Sequence, residues 1–178
     1  MQTSELTVTH LSAEDLDRRL PDFGALLHAC VHAGASIGFV LPFAQADAEA
    51  FWRETVRPAV ARGGRTLLAA EVSGRLAGTV QLDTGTPPNQ PHRAEVTKLL
   101  VHPEFRRRGI ARVLMAELER QATIKERSLI TLDTRSEDAA EPLYLSLGFV
   151  PIGRIPGWAV DPIDPAKFDP TTFMYKTL

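Results

Sequence analysis

The sequence has a single cysteine, Cys30, so its own residues can build neither an internal disulfide nor a thiolate-rich zinc cluster. Cys30 falls in an apolar helical stretch and reads as a core thiol rather than a nucleophile. Long hydrophobic runs are also lacking: none approaches the roughly 20 residues that span a bilayer. Residues 1–10 offer neither the basic start nor the apolar stretch of a signal peptide. A cytoplasmic protein with no membrane partner is therefore expected. Nor is there an excess of one charge. Twenty Lys and Arg against 22 Asp and Glu leave a net charge of −2, which gives no basic field for nucleic acid. The five histidines, His10, His28, His32, His92 and His102, lack ligand spacing except for the i, i+4 pair His28 and His32. No third ligand stands in register with that pair, so no metal is expected.

With 44% hydrophobic residues in 178, the chain can bury one substantial core, and a single domain over residues 1–178 is expected. Residues 6–11 read as a strand. Ser12, followed by Glu14 and Asp15, reads as a helix cap. The helix is predicted to run to His32 with an interruption near Pro21 and Gly24, and Leu16, Leu20, Phe23, Leu27 and Val31 mark its buried side. Residues 33–38 form a loop, and a second helix spans 44–61, with Phe51 and Trp52 packing on the core. From residue 65 the pattern changes to strands: 65–72 and 75–83 flank the hairpin turn Ser73-Gly74. A proline-rich loop then leads to a buried strand at 94–101, which Pro103 stops.

Residues 109–125 form an amphipathic helix with Ile110, Val113, Leu114, Leu118 and Ala122 on one stripe. A strand at 128–133, a short helix at 139–147 closed by Gly148, and strands at 149–160 and 171–177 complete the chain. This order implies an α/β fold with mixed strand directions.

One segment carries chemistry. The strand ending Leu99-Leu100-Val101 is followed by His102-Pro103-Glu104-Phe105 and then by Arg106-Arg107-Arg108-Gly109-Ile110-Ala111, which opens a helix. A helix N-terminus presents unpaired N–H groups and partial positive charge, so it can hold phosphate oxygens. Small residues at Gly109 and Ala111 allow close backbone approach, and the arginines add charge. An ordinary strand-to-helix turn with solvated arginines has the same residues.

Arg106 to Ala111 after that apolar strand resembles the acetyl-CoA motif of the GNAT superfamily of N-acetyltransferases. A second family segment, an aromatic-bearing helix running into Gly-Phe, is matched by Leu143-Tyr144-Leu145-Ser146-Leu147-Gly148-Phe149. The resemblance implies a central, mostly antiparallel sheet with a splayed parallel strand pair and flanking helices. It implies acetyl-CoA as cosubstrate, bound by Leu99, Leu100, Val101, Arg106, Arg107, Arg108, Gly109, Ile110 and Ala111. It also implies direct attack of an amine on the thioester, with backbone N–H groups near Leu99 as oxyanion donors. Glu137 stands where many members carry a pantetheine-contacting asparagine, and it is not carried over as a ligand.

The attacking amine has an unperturbed pKa of roughly 10 and needs a base. Glu95 and Asp133 are the candidates, on two different strands near the expected cleft. Otherwise Glu95 is a salt-bridge residue, with Arg93 or Lys98 as partner, and Asp133 is a turn or cap residue. Tyr144 is implied as the general acid for the departing thiolate; its alternative is core packing. Trp158 and the loop at 33–42 are candidate walls of an acceptor pocket.

A narrower resemblance, to the tabtoxin-resistance acetyltransferases, rests on residues 93–101, Leu132-Asp133-Thr134-Arg135, residues 153–158 and residues 171–175. It implies a compact, polar, amino-acid-like small-molecule amine as partner and supports Glu95, Asp133 and Tyr144 as a set. A homodimer is compatible with this reading. The rival acceptors are a protein N-terminus, a lysine or a polyamine, and the rival class is a non-catalytic acyl-CoA sensor.

Overall fold

Leu67-Leu68-Ala69-Ala70 is a continuous apolar run because its strand is covered on both sides. In the computed structural model, which describes residues 5–178, strand β2 (Arg65–Val72) sends Leu68, Ala70 and Val72 into one hydrophobic cluster and Leu67 and Ala69 into another. Its neighbours are β1 (Leu6–Leu11) and β3 (Arg75–Asp83), both antiparallel. The sheet continues through β4 (Arg93–Val101), β5 (Leu129–Arg135), β7 (Phe168–Thr177) and β6 (Val150–Val160) in the order β1-β2-β3-β4-β5-β7-β6. Among the described strands only β4 and β5 run parallel. The mixed, mostly antiparallel sheet with flanking helices is thus borne out.

One face carries α1 (Ala13–Arg18), α2 (Leu20–His32) and α3 (Gln45–Phe51), which passes through a π-helical turn (Trp52–Val56) into α4 (Arg57–Ala61). Trp52 is fully buried there, with its ring edge-on to Phe23 at 4.9 Å. The other face carries α5 (Ile110–Ile124) and α6 (Ala140–Ser146). Ser12 caps α1 through a reciprocal box: its hydroxyl accepts from the Asp15 N–H at 3.1 Å, and Asp15 accepts from the Ser12 N–H at 2.9 Å.

Several boundaries differ from expectation for local reasons. The first helix breaks at Arg19, not at Pro21 or Gly24, because Pro21 sits in the first turn of α2, where it loses no hydrogen bond. Met115 rather than Val113 completes the buried stripe of α5; Val113 is 42% exposed. Strand β5 runs two residues past Asp133, and β7 begins at Phe168, because each continues to pair with its neighbour. Strand β6 is exposed along Val150 to Trp158, at the bare outer edge of the sheet.

The register between β3 and β4 shifts: Thr79 faces Leu100 and Gln81 faces Thr97, so β4 carries an extra residue opposite Val80. Lys98 is that residue's position in left-handed backbone, with φ of 51°. The bulge reverses the sides of the strand. Ala94 and Val96 face the α5 cluster before it, whereas Leu99 and Val101 do so after it. Gly78 lies where β3 meets the end of β4 beneath α5. A methyl group there would stand 2.7 Å from Leu100 O and 3.2 Å from Ile110 Cγ2. Because the nearest clash is with backbone, Gly78→Ala is expected to destabilise by about 1–3 kcal/mol in urea unfolding. An unchanged midpoint would show that the strand end can shift.

Candidate active site

Parallel pairing of β4 with β5 extends over three residue pairs, Arg93 with Leu129, Ala94 with Ile130 and Glu95 with Thr131. Beyond Glu95 the strands diverge, and two cavities occupy the gap. One, of about 430 Å³, is walled by residues 35–38, the middle of β4, the end of β5, Tyr144 and Trp158. The other, of about 650 Å³, is walled by the end of β4, the start of α5 and residues 33–35. They share Ala35, Leu99, Arg135, Asp138 and Ala140, so they form one passage through the sheet.

The smaller cavity collects the predicted polar residues. Glu95 faces Thr131 across the parallel pair, and Asp133 lies two residues further along β5, so strand alternation puts both carboxylates on one face. Glu95 is half-exposed, with Arg93 Nη1 3.8 Å away; the anticipated Arg93 pairing is present, and Lys98 makes no ion pair with Glu95. Asp133 is exposed, and Thr171 Oγ1 donates to it at 3.0 Å. Tyr144 also lines this cavity while remaining 6% exposed and edge-on to Phe149. Burial, and then the negative charge of Asp133, hold its phenol well above the usual tyrosine range, so it keeps its proton. Trp158 lines the same space and leans edge-on to Phe173 at 5.4 Å.

The larger cavity collects Leu99, Leu100, Val101, Arg106, Arg107, Gly109, Ile110 and Ala111. The first N–H groups of α5 have no acceptor within the helix; the earliest return bond runs from Val113 N–H to Gly109 O at 3.1 Å. Gly109 caps the helix with φ of 77°, and Arg107 takes φ of 60°. A methyl group on Gly109 would touch nothing within 4 Å, so the requirement here is backbone conformation rather than space. Arg108 turns away: Nη2 donates to Glu104 O at 3.2 Å, and the guanidinium lies over the Phe105 ring. Arg106 Nε donates to Val101 O at 3.3 Å. Unpaired N–H groups at a helix start, beside the guanidinium-bearing residues Arg106 and Arg107, fit a pyrophosphate-bearing group.

Two residues that the sequence does not single out for catalysis or cofactor binding line the site. Lys98 Nζ donates to Ile37 O at 2.7 Å and sits 5.7 Å from the Phe39 and Phe51 ring centres. Burial lowers its pKa, and the charge of Asp133 opposes that shift. Its signal in the sequence is a slip of phase: a lysine follows Ala94 and Val96 at the next inward position, and three apolar residues come after it. Arg135 donates to Asp138 at 2.9 Å, Asp169 at 3.2 Å and Gly34 O at 3.1 Å. With Leu41 N–H donating to Pro162 O at 2.8 Å, these bonds tie the loop at 33–42 over the passage. No spacing rule could reveal Arg135, because its partners Gly34, Asp138 and Asp169 come from three separate segments. Glu137 is exposed and ion-paired with Arg154.

The sequence profile of the acetyltransferase (GNAT) domain matches residues 40–155. The chain belongs to the GNAT acetyltransferase family. The family takes its acetyl group from acetyl-CoA. An uncharacterised N-acetyltransferase from the hisH-hisA intergenic region of Azospirillum brasilense is 31% identical over 115 residues, 63% of this chain and 66% of that protein. The match therefore spans just under two thirds of that relative. Among solved structures, the yncA protein of Salmonella typhimurium, determined with its cofactor acetyl-CoA, superposes with a TM-score of 0.77 at 19% identity. That likeness covers 97% of this chain and 94% of the other. The ribosomal-protein-alanine N-acetyltransferase of Brucella melitensis gives 0.76 at 22% identity, covering 97% and 99%. At these identities the likeness is one of GNAT fold. No described helix is long and apolar enough to cross a membrane.

Cys30 borders the larger cavity, with Sγ 3.5 Å from Val101 O. Burial pushes its thiol up to about 11. At pH 7.5 its alkylation by iodoacetamide is expected to be at least about 100-fold slower than that of a free thiol, because so little thiolate forms. The rate should climb with pH until it passes the raised pKa. Alkylation at the free-thiol rate near neutrality would contradict the buried placement.

Proposed function

We propose that this chain transfers the acetyl group of acetyl-CoA to the primary amine of a small polar, amino-acid-like molecule by direct attack. The observation that carries this reading is the meeting of Glu95, Asp133 and Tyr144 in one cavity that opens into a second cavity headed by the start of α5. When bound, acetyl-CoA supplies an activated thioester. In this reading the N–H groups from Arg107 to Ala111 hold its phosphates, with Arg106 and Arg107 adding positive charge. Leu99 to Val101 lie along its arm. Arg108 contributes through its backbone, since its side chain is engaged elsewhere.

Glu95 and Asp133 both reach the acceptor side, one to hold the substrate ammonium and the other to take its proton, directly or through a water. Tyr144, kept protonated by burial, is the proton donor to the leaving sulfur. Backbone N–H groups around Leu99 are the oxyanion donors; β4 has left its β5 partner at this point, so its edge faces the cleft. The resemblance to the tabtoxin-resistance group, on residues 93–101 and Leu132-Asp133-Thr134-Arg135, supports the small acceptor. A cavity of about 430 Å³ roofed by residues 35–38 suits a small molecule better than a polypeptide.

We further infer a single domain over residues 1–178 that works in the cytoplasm. A second copy is the proposed partner at the bare edge of β6, where Val150, Ile152 and Ile155 are exposed.

Two measurements test the reading. Thiol release from acetyl-CoA should depend on added small amines, disappear in the Glu95→Gln/Asp133→Asn double variant, and fall by about 100-fold in Tyr144→Phe. Release with peptides or polyamines alone would move the acceptor class, and saturable acetyl-CoA binding without release would favour a sensor. Separately, Gly109→Val should raise the KM for acetyl-CoA by about tenfold or more, because a β-branched residue resists left-handed backbone. An unchanged KM would remove the α5 start from the cofactor site.

A further inference from the structure

Six charged side chains line the smaller cavity: Glu95, Lys98, Asp133, Arg135, Asp138 and Asp169. Four have an opposite charge at hand. Glu95 faces Arg93, Arg135 bridges Asp138 and Asp169, and Lys167 also reaches Asp169 at 2.9 Å. Lys98 and Asp133 are left: among the described residues neither has an ion-pair partner within 4.0 Å. The two charges are opposite in sign, face the same space and stand more than 4.0 Å apart, outside direct ion-pair contact.

The ammonium of Lys98 is also held in place. It stands on the bulge that adds a residue to β4, is tethered to Ile37 O, and has two phenyl rings beside it. A lysine whose only need was solvation would extend into water. This one is directed inward, on a backbone conformation that a side chain rarely adopts, with donor capacity to spare beyond the one bond to Ile37.

We propose that Lys98 recognises an anionic group on the acceptor, specifically the carboxylate of an amino acid. The acceptor's ammonium then faces Asp133 while its carboxylate faces Lys98. This deepens the small-amine reading above and rests on it. A zwitterion of that kind neutralises both unmatched charges at once. A neutral amine, or an amino acid whose carboxylate is masked as an amide, leaves a half-desolvated ammonium unpaired. Sites built around a polar partner reject analogues that lack it.

The test compares thiol release from acetyl-CoA with two matched pools, the common L-amino acids and their carboxamides. Wild-type protein should favour the acids by about 10-fold to 100-fold in kcat/KM, the range of one charge-assisted hydrogen bond. Lys98→Met should abolish that preference by raising the KM for the acids, with a much smaller change in kcat and none in the KM for acetyl-CoA. Lys98→Arg should restore part of the preference. Equal use of both pools by the wild type would overturn the inference, as would an equal loss on both pools in Lys98→Met. Turnover confined to amines without any anionic group would sink it while leaving the transferase intact. Silence with every amine, despite saturable acetyl-CoA binding, would take down the transferase reading and this inference with it.

Discussion

The short reach of the parallel pairing between β4 and β5 is the constraint on which the rest depends. Backbone N–H and C=O groups inside a protein require partners, and a strand normally finds them on both sides. Strand β4 pairs with β3 from Glu95 to Val101 but keeps β5 only as far as Glu95. The bulge at Lys98 then turns the strand, and the groups beyond it on the β5 side face a passage instead of a neighbour. Some of that edge is met locally: Val101 O receives the Cys30 thiol and Arg106 Nε. The same divergence leaves room for α5 to begin beside the strand end, where Gly78 allows β3, β4 and the first turns of the helix to come together. The passage proposed to hold acetyl-CoA is thus produced by loss of sheet pairing.

Within that passage the strengths of the contacts separate what is fixed from what can respond. The Arg93–Glu95 pair is 3.8 Å apart and half-exposed, so it is worth at most about 1 kcal/mol and leaves Glu95 free to turn toward a ligand. The Arg135 cluster differs in kind. It joins β5, the approach to α6, the β7 start and Gly34 through several charge-assisted bonds, with Asp169 buried beneath. With the Lys98 bond to Ile37 O and the Leu41 bond to Pro162 O, it holds the glycine-containing loop over both cavities. A roof so tied favours a preorganised pocket over one that forms on binding.

Much of this was legible because periodicity and turn chemistry report local conformation. The Ser12 cap, the Ser73-Gly74 hairpin, the stop after Val101 and the helix opening at Gly109 all stand where the residues place them. The residues named for the cofactor and for catalysis also gather around one passage, apart from the Arg108 side chain, which stacks on Phe105. What escaped were features set by distant partners. Arg135 gains its role from Gly34, Asp138 and Asp169, and no spacing rule connects them. Composition offers Lys98 only as a partner for Glu95, since a bulge changes the facing of a strand without changing its composition. The break falls at Arg19, ahead of the expected Pro21 and Gly24, because proline in a first turn costs a helix nothing.

Amide hydrogen exchange on addition of acetyl-CoA tests most directly whether the diverged strand and the start of α5 form the cofactor site. Slower exchange at Leu99 to Val101 and at Arg107 to Arg112, with β6 and the β1 end of the sheet unchanged, is the expected result. Saturable binding that protects some other surface, and leaves these amides exchanging as before, would contradict it.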